Sequence, residues 1–307
     1  MLARLTLKQK AVLALIVANT IWGAASPIFK WALENIPLFT LAYFRFFIAC
    51  LLVFPLAINK NSHLQRSDIL SLITLALLGI TINITFFFLG LKHAPSINAP
   101  IIASAGPVFL ILASMLFLKE HPRSKTVTGT LISLVGVFII ISRPLIESGF
   151  DYGAFAGNLY FVLATLGAVG HAVISKKLLA RYDALELTFW SFLIGAVSFF
   201  PFFVYETLHV NWLVTLDIRG ITGLVFGILF SSTIAYFLYS WAIKVLPASE
   251  IGVFTYIDPV IATVIAIPLL GEVITPLFIL GSFFVFAGIV VAEGRLQYHP
   301  LHKLKTT

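Results

Sequence analysis

The sequence predicts an all-α membrane protein of ten transmembrane helices arranged as two inverted five-helix repeats, and three observations carry that fold class. First, 60% of the 307 residues are hydrophobic and only 11% are Asp, Glu, Lys or Arg, against roughly a quarter charged in a soluble domain. Second, the apolar residues gather into runs close to the ~20 residues that a helix needs to cross a hydrocarbon core of roughly 30 Å. Third, the second half repeats the first at a fixed offset, and the loop with Lys119, Arg123 and Lys125 is matched by one around Glu272 without Lys or Arg.

The runs follow one another with short loops. The first, Ala11 to Leu33, comes after Arg4, Lys8 and Lys10 and exceeds the h-region of a signal peptide, so it reads as an uncleaved first helix. Leu38 to Ile58 contains Arg45 and the single cysteine, Cys50, which rules out an intramolecular disulfide and a cysteine metal site. Ile69 to Leu91 is the third span and Ala94 to Leu118, with Pro100 and Pro107, the fourth. Val127 to Ile141 places Gly129 and Gly136 seven residues apart on one helix side, where small residues permit close packing. The second half supplies Ala154 to Ile174, Leu185 to Leu208, Gly220 to Val245, Ala248 to Leu270 and Leu277 to Val291, the last with Gly281 and Gly288.

An offset of 152 maps Lys92 to Lys244, Pro95 to Pro247, Pro107 to Pro259, Glu120 to Glu272, Gly129 to Gly281, Gly136 to Gly288 and Arg143 to Arg295. Earlier in the halves an offset of 146 places Lys30 on Lys176 and Pro55 on Pro201. Residues 1–147 and 148–307 are therefore expected to be two five-helix repeats of one membrane bundle. Because five is odd, the second copy enters the membrane upside down. With a cytoplasmic amino terminus, fifteen Lys and Arg fall on the cytoplasmic side and four, Lys30, Lys92, Arg143 and Arg219, on the other, while Arg45 lies within a span. The net charge of +7 is then a signal of topology in an inner membrane with both termini cytoplasmic, not a surface for nucleic acid. Inverted repeats are typical of secondary transporters, whose solute site near the midplane is exposed alternately to either side.

Asp258 is expected about eleven residues into the ninth span, where an ionised carboxylate costs roughly 2.5–3.5 kcal/mol and needs a partner or a proton. It either contacts a substrate ammonium or protonates during turnover, or is a structural acid bonded to polar neighbours. Pro259 beside it is expected to open the helix at the carbonyl of Thr255, as Pro100 and Pro107 do in the fourth span. Asn19, Trp22 and Ser26 recur at helical spacing on one face of the first span. Asn83, Asn98, Ser104, Ser232, Tyr236 and Tyr256 are candidates to meet that face in a central cavity, with interhelical hydrogen bonding as the plain alternative. His171 either titrates or bonds between helices. Arg45 reads as structural, with a substrate carboxylate as the alternative, and Pro107, Glu120, Pro259 and Glu272 also read as structural.

Ile-Trp-Gly at 21–23, Lys30, Arg45, and Pro107 with Glu120 thirteen residues on, repeated as Pro259 and Glu272, resemble the EamA-type ten-helix branch of the drug/metabolite transporter superfamily over nearly the whole chain. The resemblance implies alternating-access export of small metabolites such as amino acids, without cofactor or metal, by a monomer or homodimer in a lipid bilayer. A drug or nucleotide-sugar carrier of the same superfamily is the alternative. The second half departs from the pattern where Arg45 aligns with Ser191 and Trp22 with Ala168. The superfamily's four-helix multidrug exporters use a glutamate in their first helix; here no acid stands between Ala11 and Leu33. The seven histidines, at 63, 93, 121, 171, 209, 299 and 302, are too scattered for a membrane enzyme's centre, and no Gly-Lys-Ser/Thr phosphate loop is present to draw on ATP.

Overall fold

The computed structural model describes residues 5–58, 64–117, 124–246 and 252–293, and these residues form helices and connections with no strand. Helix α1 (Leu7–Ala32) starts at a capping box. Thr6 Oγ1 accepts from Gln9 N at 3.3 Å and Gln9 Oε1 accepts from Thr6 N at 2.9 Å, so two otherwise orphaned amides are satisfied. Next come α2 (Leu38–Ile58) and α3 (Arg66–His93), the latter carrying a π-helical turn at Leu77–Ile82. α4 (Asn98–Ser104) and α5 (Gly106–Phe117) follow, and then α6 (Ser124–Glu147), α7 (Tyr152–Leu178) and α8 (Ala184–His209). Asp151 and Asp183 cap the last two, accepting from Ala154 N at 3.0 Å and Leu185 N at 2.9 Å. After the short helix Trp212–Thr215, α9 runs through Ile218–Val225, a π-helical stretch Phe226–Ile234, and Ala235–Val245. A 3₁₀ segment, Gly252–Tyr256, leads into α10 (Ile257–Leu270), and α11 (Pro276–Glu293) ends the described chain.

Among the described residues seven helices are long and apolar enough to cross a membrane, Leu7–Ala32, Arg66–His93 and Ile218–Ala242 among them, and two shorter apolar segments, Phe254–Leu270 and Pro276–Ala292, accompany them. Their outward faces carry large apolar side chains: Phe138 is 68% exposed, Phe283 65% and Val264 63%. A belt of that kind belongs against lipid rather than water.

Two of the expected spans take a different form. The fourth, expected as one kinked helix, is interrupted at Ala105, and Pro107 stands second in α5. In the ninth, Asp258 lies in the first turn of α10 rather than eleven residues into a helix, and Pro259 is the third residue of α10. The reason is the same in both. A proline in the first turn removes an amide that has no partner there, so a helix start accommodates it at no cost where a helix interior would kink. Glu120 lies outside the described residues.

α6 and α11 form the most extensive helix pair, and four glycines set their separation. A Cβ built on Gly129 would stand 2.5 Å from the carbonyl oxygen of Gly288, and one on Gly288 2.5 Å from that of Gly129. Gly136 and Gly281 repeat the relation at 2.5 and 3.1 Å. No side chain fits either crossing.

Candidate functional site

A cavity of about 1090 Å³ lies between α1, α3, α4, α5, α7, α9 and α10. Trp22, Ser26, Asn83, Ser104 and Asp258 line it together, with Phe87, Phe161, Thr165 and Tyr239. Its wall extends to Tyr182, Asp183 and Ala184 at the α7–α8 turn and to Lys244 at the end of α9, which is its mouth. There Lys244 Nζ donates to Asp183 Oδ2 at 2.7 Å. α1 passes Asp258 closely because residue 23 is glycine: a Cβ on Gly23 would lie 2.8 Å from the Asp258 carbonyl oxygen. Trp22 and Asp258, on the two helices that meet there, both line the cavity.

The polar atoms of this wall divide into donors engaged within the protein and buried groups without a partner. Trp22 Nε1 donates to Ser231 O at 3.1 Å, Asn83 Nδ2 to Ala164 O at 2.7 Å, Ser104 Oγ to Pro100 O at 2.8 Å and Thr165 Oγ1 to Phe161 O at 2.8 Å. Asp258 Oδ1 and Ser26 Oγ, both buried, have no partner. The Trp22 ring meets Tyr236 edge-on at 5.4 Å and Tyr239 at 5.3 Å, so the aromatic side of the cavity is held in place from behind.

Pro107, expected as structural, also lines this wall, whereas Arg45, Ser232, Tyr236, His171, Asn19, Asn98 and Tyr256 do not. Arg45 is buried under α9, with Nε donating to Ser232 Oγ at 2.8 Å and Nη2 to Ser231 Oγ at 3.1 Å, and with its guanidinium 4.8 Å from the ring centres of Phe29 and Phe46. Ser232 and Tyr236 therefore belong to the packing around Arg45 and Trp22. His171 Nδ1 pairs with Leu75 O at 3.0 Å, beside the π turn of α3. Asn19 donates to Leu15 O at 2.8 Å, Asn98 to Asn158 Oδ1 at 2.8 Å, and Tyr256 packs edge-on against Phe286 at 5.7 Å.

At the end opposite the mouth, Glu272 in the α10–α11 connection ties α1 to the α3–α4 connection. It accepts from Lys30 Nζ at 3.1 Å, Ser96 N at 2.6 Å and Ile97 N at 3.1 Å, while Lys30 Nζ also donates to Ala94 O at 2.7 Å. Its position follows from Gly271, whose φ of +65° ends α10 in the left-handed conformation that glycine adopts without strain. A second, smaller cavity of about 400 Å³, lined by Lys30, His93, Arg143, Glu147 and Glu272, lies at this end.

The sequence pattern of the EamA-like transporter family matches residues 9–142 and 155–293, most of the chain. The chain belongs to the EamA-like transporter family. Within the drug/metabolite transporter superfamily, this EamA protein is a multi-pass membrane protein. It is 26% identical to an uncharacterized transporter of Archaeoglobus fulgidus over 94% of its own length and 99% of the relative's. It is 26% identical to the uncharacterized transporter YyaM of Bacillus subtilis, covering 88% and 92%. A probable terminal-alkyne amino-acid exporter of Streptantibioticus cattleyicolor is 26% identical over 94% of each chain. A solved crystal structure superposes with a TM-score of 0.62 at 19% identity, covering 92% of this chain and 96% of the other, which shows a shared fold.

Sequence reasoning missed Phe87, Phe161, Thr165 and Tyr239 in the wall of the EamA cavity. Tyr239 carried a usable signal, its i+3 spacing from Tyr236; the phenylalanines, among 29 in the chain, carried none.

Proposed function

We propose that this EamA protein is a secondary transporter that exports small metabolites bearing an ammonium group, the class that includes amino acids, by alternating access across the inner membrane. The observation that carries the reading is Asp258, a half-buried residue that lines the cavity and whose buried Oδ1 has no partner. A charge at that depth requires a counter-charge or a proton, and a bound ammonium supplies one. The probable amino-acid exporter among its relatives supports the same solute class.

The reading takes residues 1–147 and 148–307 as inverted five-helix repeats, ten spans in all, with both termini cytoplasmic. Several features support it. Gly129–Gly288 and Gly136–Gly281 exchange roles under the 152 offset, as contacts across a twofold axis do. The π turn Leu77–Ile82 maps to 229–234, inside Phe226–Ile234, and the break at Ala105 maps to Ile257, where α10 starts. With that orientation the cavity faces the cytoplasm and the Glu272 cluster closes the outside.

The test is uptake of labelled amines and amino acids into inverted proteoliposomes by wild type and Asp258→Asn. The variant keeps volume and hydrogen bonding but loses the charge, so transport is expected to fall at least tenfold with yield and melting temperature retained. Transport by Asp258→Asn equal to wild type across about pH 5.5–8, a range in which an ammonium stays charged, would refute the assignment.

A further inference from the structure

We infer that the ligand of this cavity is an organic ammonium without a free carboxylate, an amine on an apolar or aromatic body, rather than a zwitterionic amino acid. The inference rests on Asp258 being the ammonium site and narrows what accompanies that ammonium.

Charge comes first. Among the described residues of the wall the charged ones are Asp183, Lys244 and Asp258, and the first two are joined at the mouth. The interior is left with one negative group and no positive one. An amine neutralises it. A zwitterion would bring a second carboxylate into a region with no cation to meet it, where an uncompensated charge is costly. Arg45, the residue that sequence alone offers for a carboxylate, is outside the wall, bonded to Ser231 and Ser232 and packed between two phenylalanine rings. Lys30 is engaged at the opposite end by Glu272 and Ala94 O.

Hydrogen-bond polarity agrees with charge. A carboxylate without a cation needs two or three converging donors. Trp22, Asn83, Ser104 and Thr165 all donate to backbone carbonyls instead, and the unpartnered hydroxyl of Ser26 is a single donor, fewer than a carboxylate needs. The start of α5 also faces the cavity, but Pro107 has no amide hydrogen, and the amides of Val108 and Phe109 donate to Ala105 O at 2.9 and 3.1 Å. The lining carboxylate, Asp258, keeps an unpartnered acceptor in its buried Oδ1. Trp22, Tyr239, Phe87 and Phe161 line the same cavity and give it an aromatic wall for an apolar body.

Three probes with one ring and one ammonium decide the matter: 2-phenylethylamine, phenylalanine methyl ester and phenylalanine, titrated calorimetrically into the purified full-length protein in nanodiscs at about pH 6, below the pKa of an amino group. Binding of the amine and the ester at least tenfold tighter than phenylalanine, lost in Asp258→Asn that melts like wild type, is the expected result. The ester comparison uses wild type alone and stands whether or not the variant folds. Phenylalanine binding within tenfold of the amine, with both lost in Asp258→Asn, overturns the exclusion of the carboxylate while leaving the ammonium site intact. Amine binding undiminished in a folded Asp258→Asn, or no binding of any probe at millimolar concentration, overturns both readings.

Discussion

Arg45 and Asp258 are both ionisable side chains in apolar runs, and the structure places them differently: Arg45 is bonded within the protein, whereas Asp258 lines the cavity. Arg45 joins α2 to α9 through two serine hydroxyls and lies 4% exposed. Arg45→Ala would strand those hydroxyls and remove a buried cation, a loss on the order of 3 kcal/mol. The expected outcome is a thermal midpoint several degrees below wild type in detergent, whereas Asp258→Asn should melt normally and fail in transport. Both residues were legible in the sequence as anomalies, because a charge inside an apolar run stands out by composition alone. That Asp258 borders a central cavity was legible from the cost of a carboxylate in an apolar run; what Arg45 faces was not. The partners of Arg45 are 186 and 187 residues away, and no periodicity within α2 encodes them. Asn19 and Asn98 were misplaced for a related reason: a polar side chain on a helix face bonds a backbone carbonyl or a neighbour as readily as it lines a cavity.

Helices that pair through glycine are set by contact distance, so α6 and α11 tolerate no side chain at their crossings. Gly136→Val should lower stability by about 1–3 kcal/mol through overpacking, seen as a reduced thermal midpoint, whereas Gly149→Ala, with nothing within 4 Å, tests the strain of a positive φ alone. The start of α9 responds to acid. Asp217 accepts from Arg219 N and Nε, each at 2.8 Å, and the hydrogen bond from the Arg219 side chain holds its carboxyl below the usual range. A depressed folded pKa stabilises above the unfolded value near 3.9 and is lost as pH falls through the folded one. The difference in melting temperature between wild type and Asp217→Asn should therefore shrink from about pH 4 downward. The interruptions at Ala105 and before Ile257 escaped the sequence reading because hydropathy continues unbroken across them, and a proline in a first turn looks like a proline in a kink. The pairing of Gly129 and Gly136 with Gly281 and Gly288 was legible, since a seven-residue spacing puts small residues on one side of a helix whatever its neighbours.

At the scale of the molecule, a wide cavity at one end faces a closed cluster at the other. Glu272 joins Lys30 on α1 to the α3–α4 connection, so opening that end means separating a carboxylate from a cation and two amides. Glu272→Gln keeps the amides' acceptor and loses the ionic attraction, which should shift the population toward the opposite opening. Cys50 is the single cysteine, so a Cys50→Ala, Ser26→Cys background provides the reporter. An impermeant thiol reagent added outside intact cells is expected to label it faster with Glu272→Gln, and unchanged labelling would count against the alternating reading. A reporter fused after Thr307 should be active only in its cytoplasmic form; the reverse would sink the ten-span topology. The π-helical stretches of α3 and α9 add a mechanical property to this picture. Each winds more residues into a turn than α geometry does, which stores slack along the helix. Moving that slack by one residue turns the side chain it passes by about 100° and advances it by about 1.5 Å, with both helix ends still anchored. Asn83 directly follows one stretch and Ser231, which receives Trp22, lies within the other, so the lining of the cavity is mounted on two swivels.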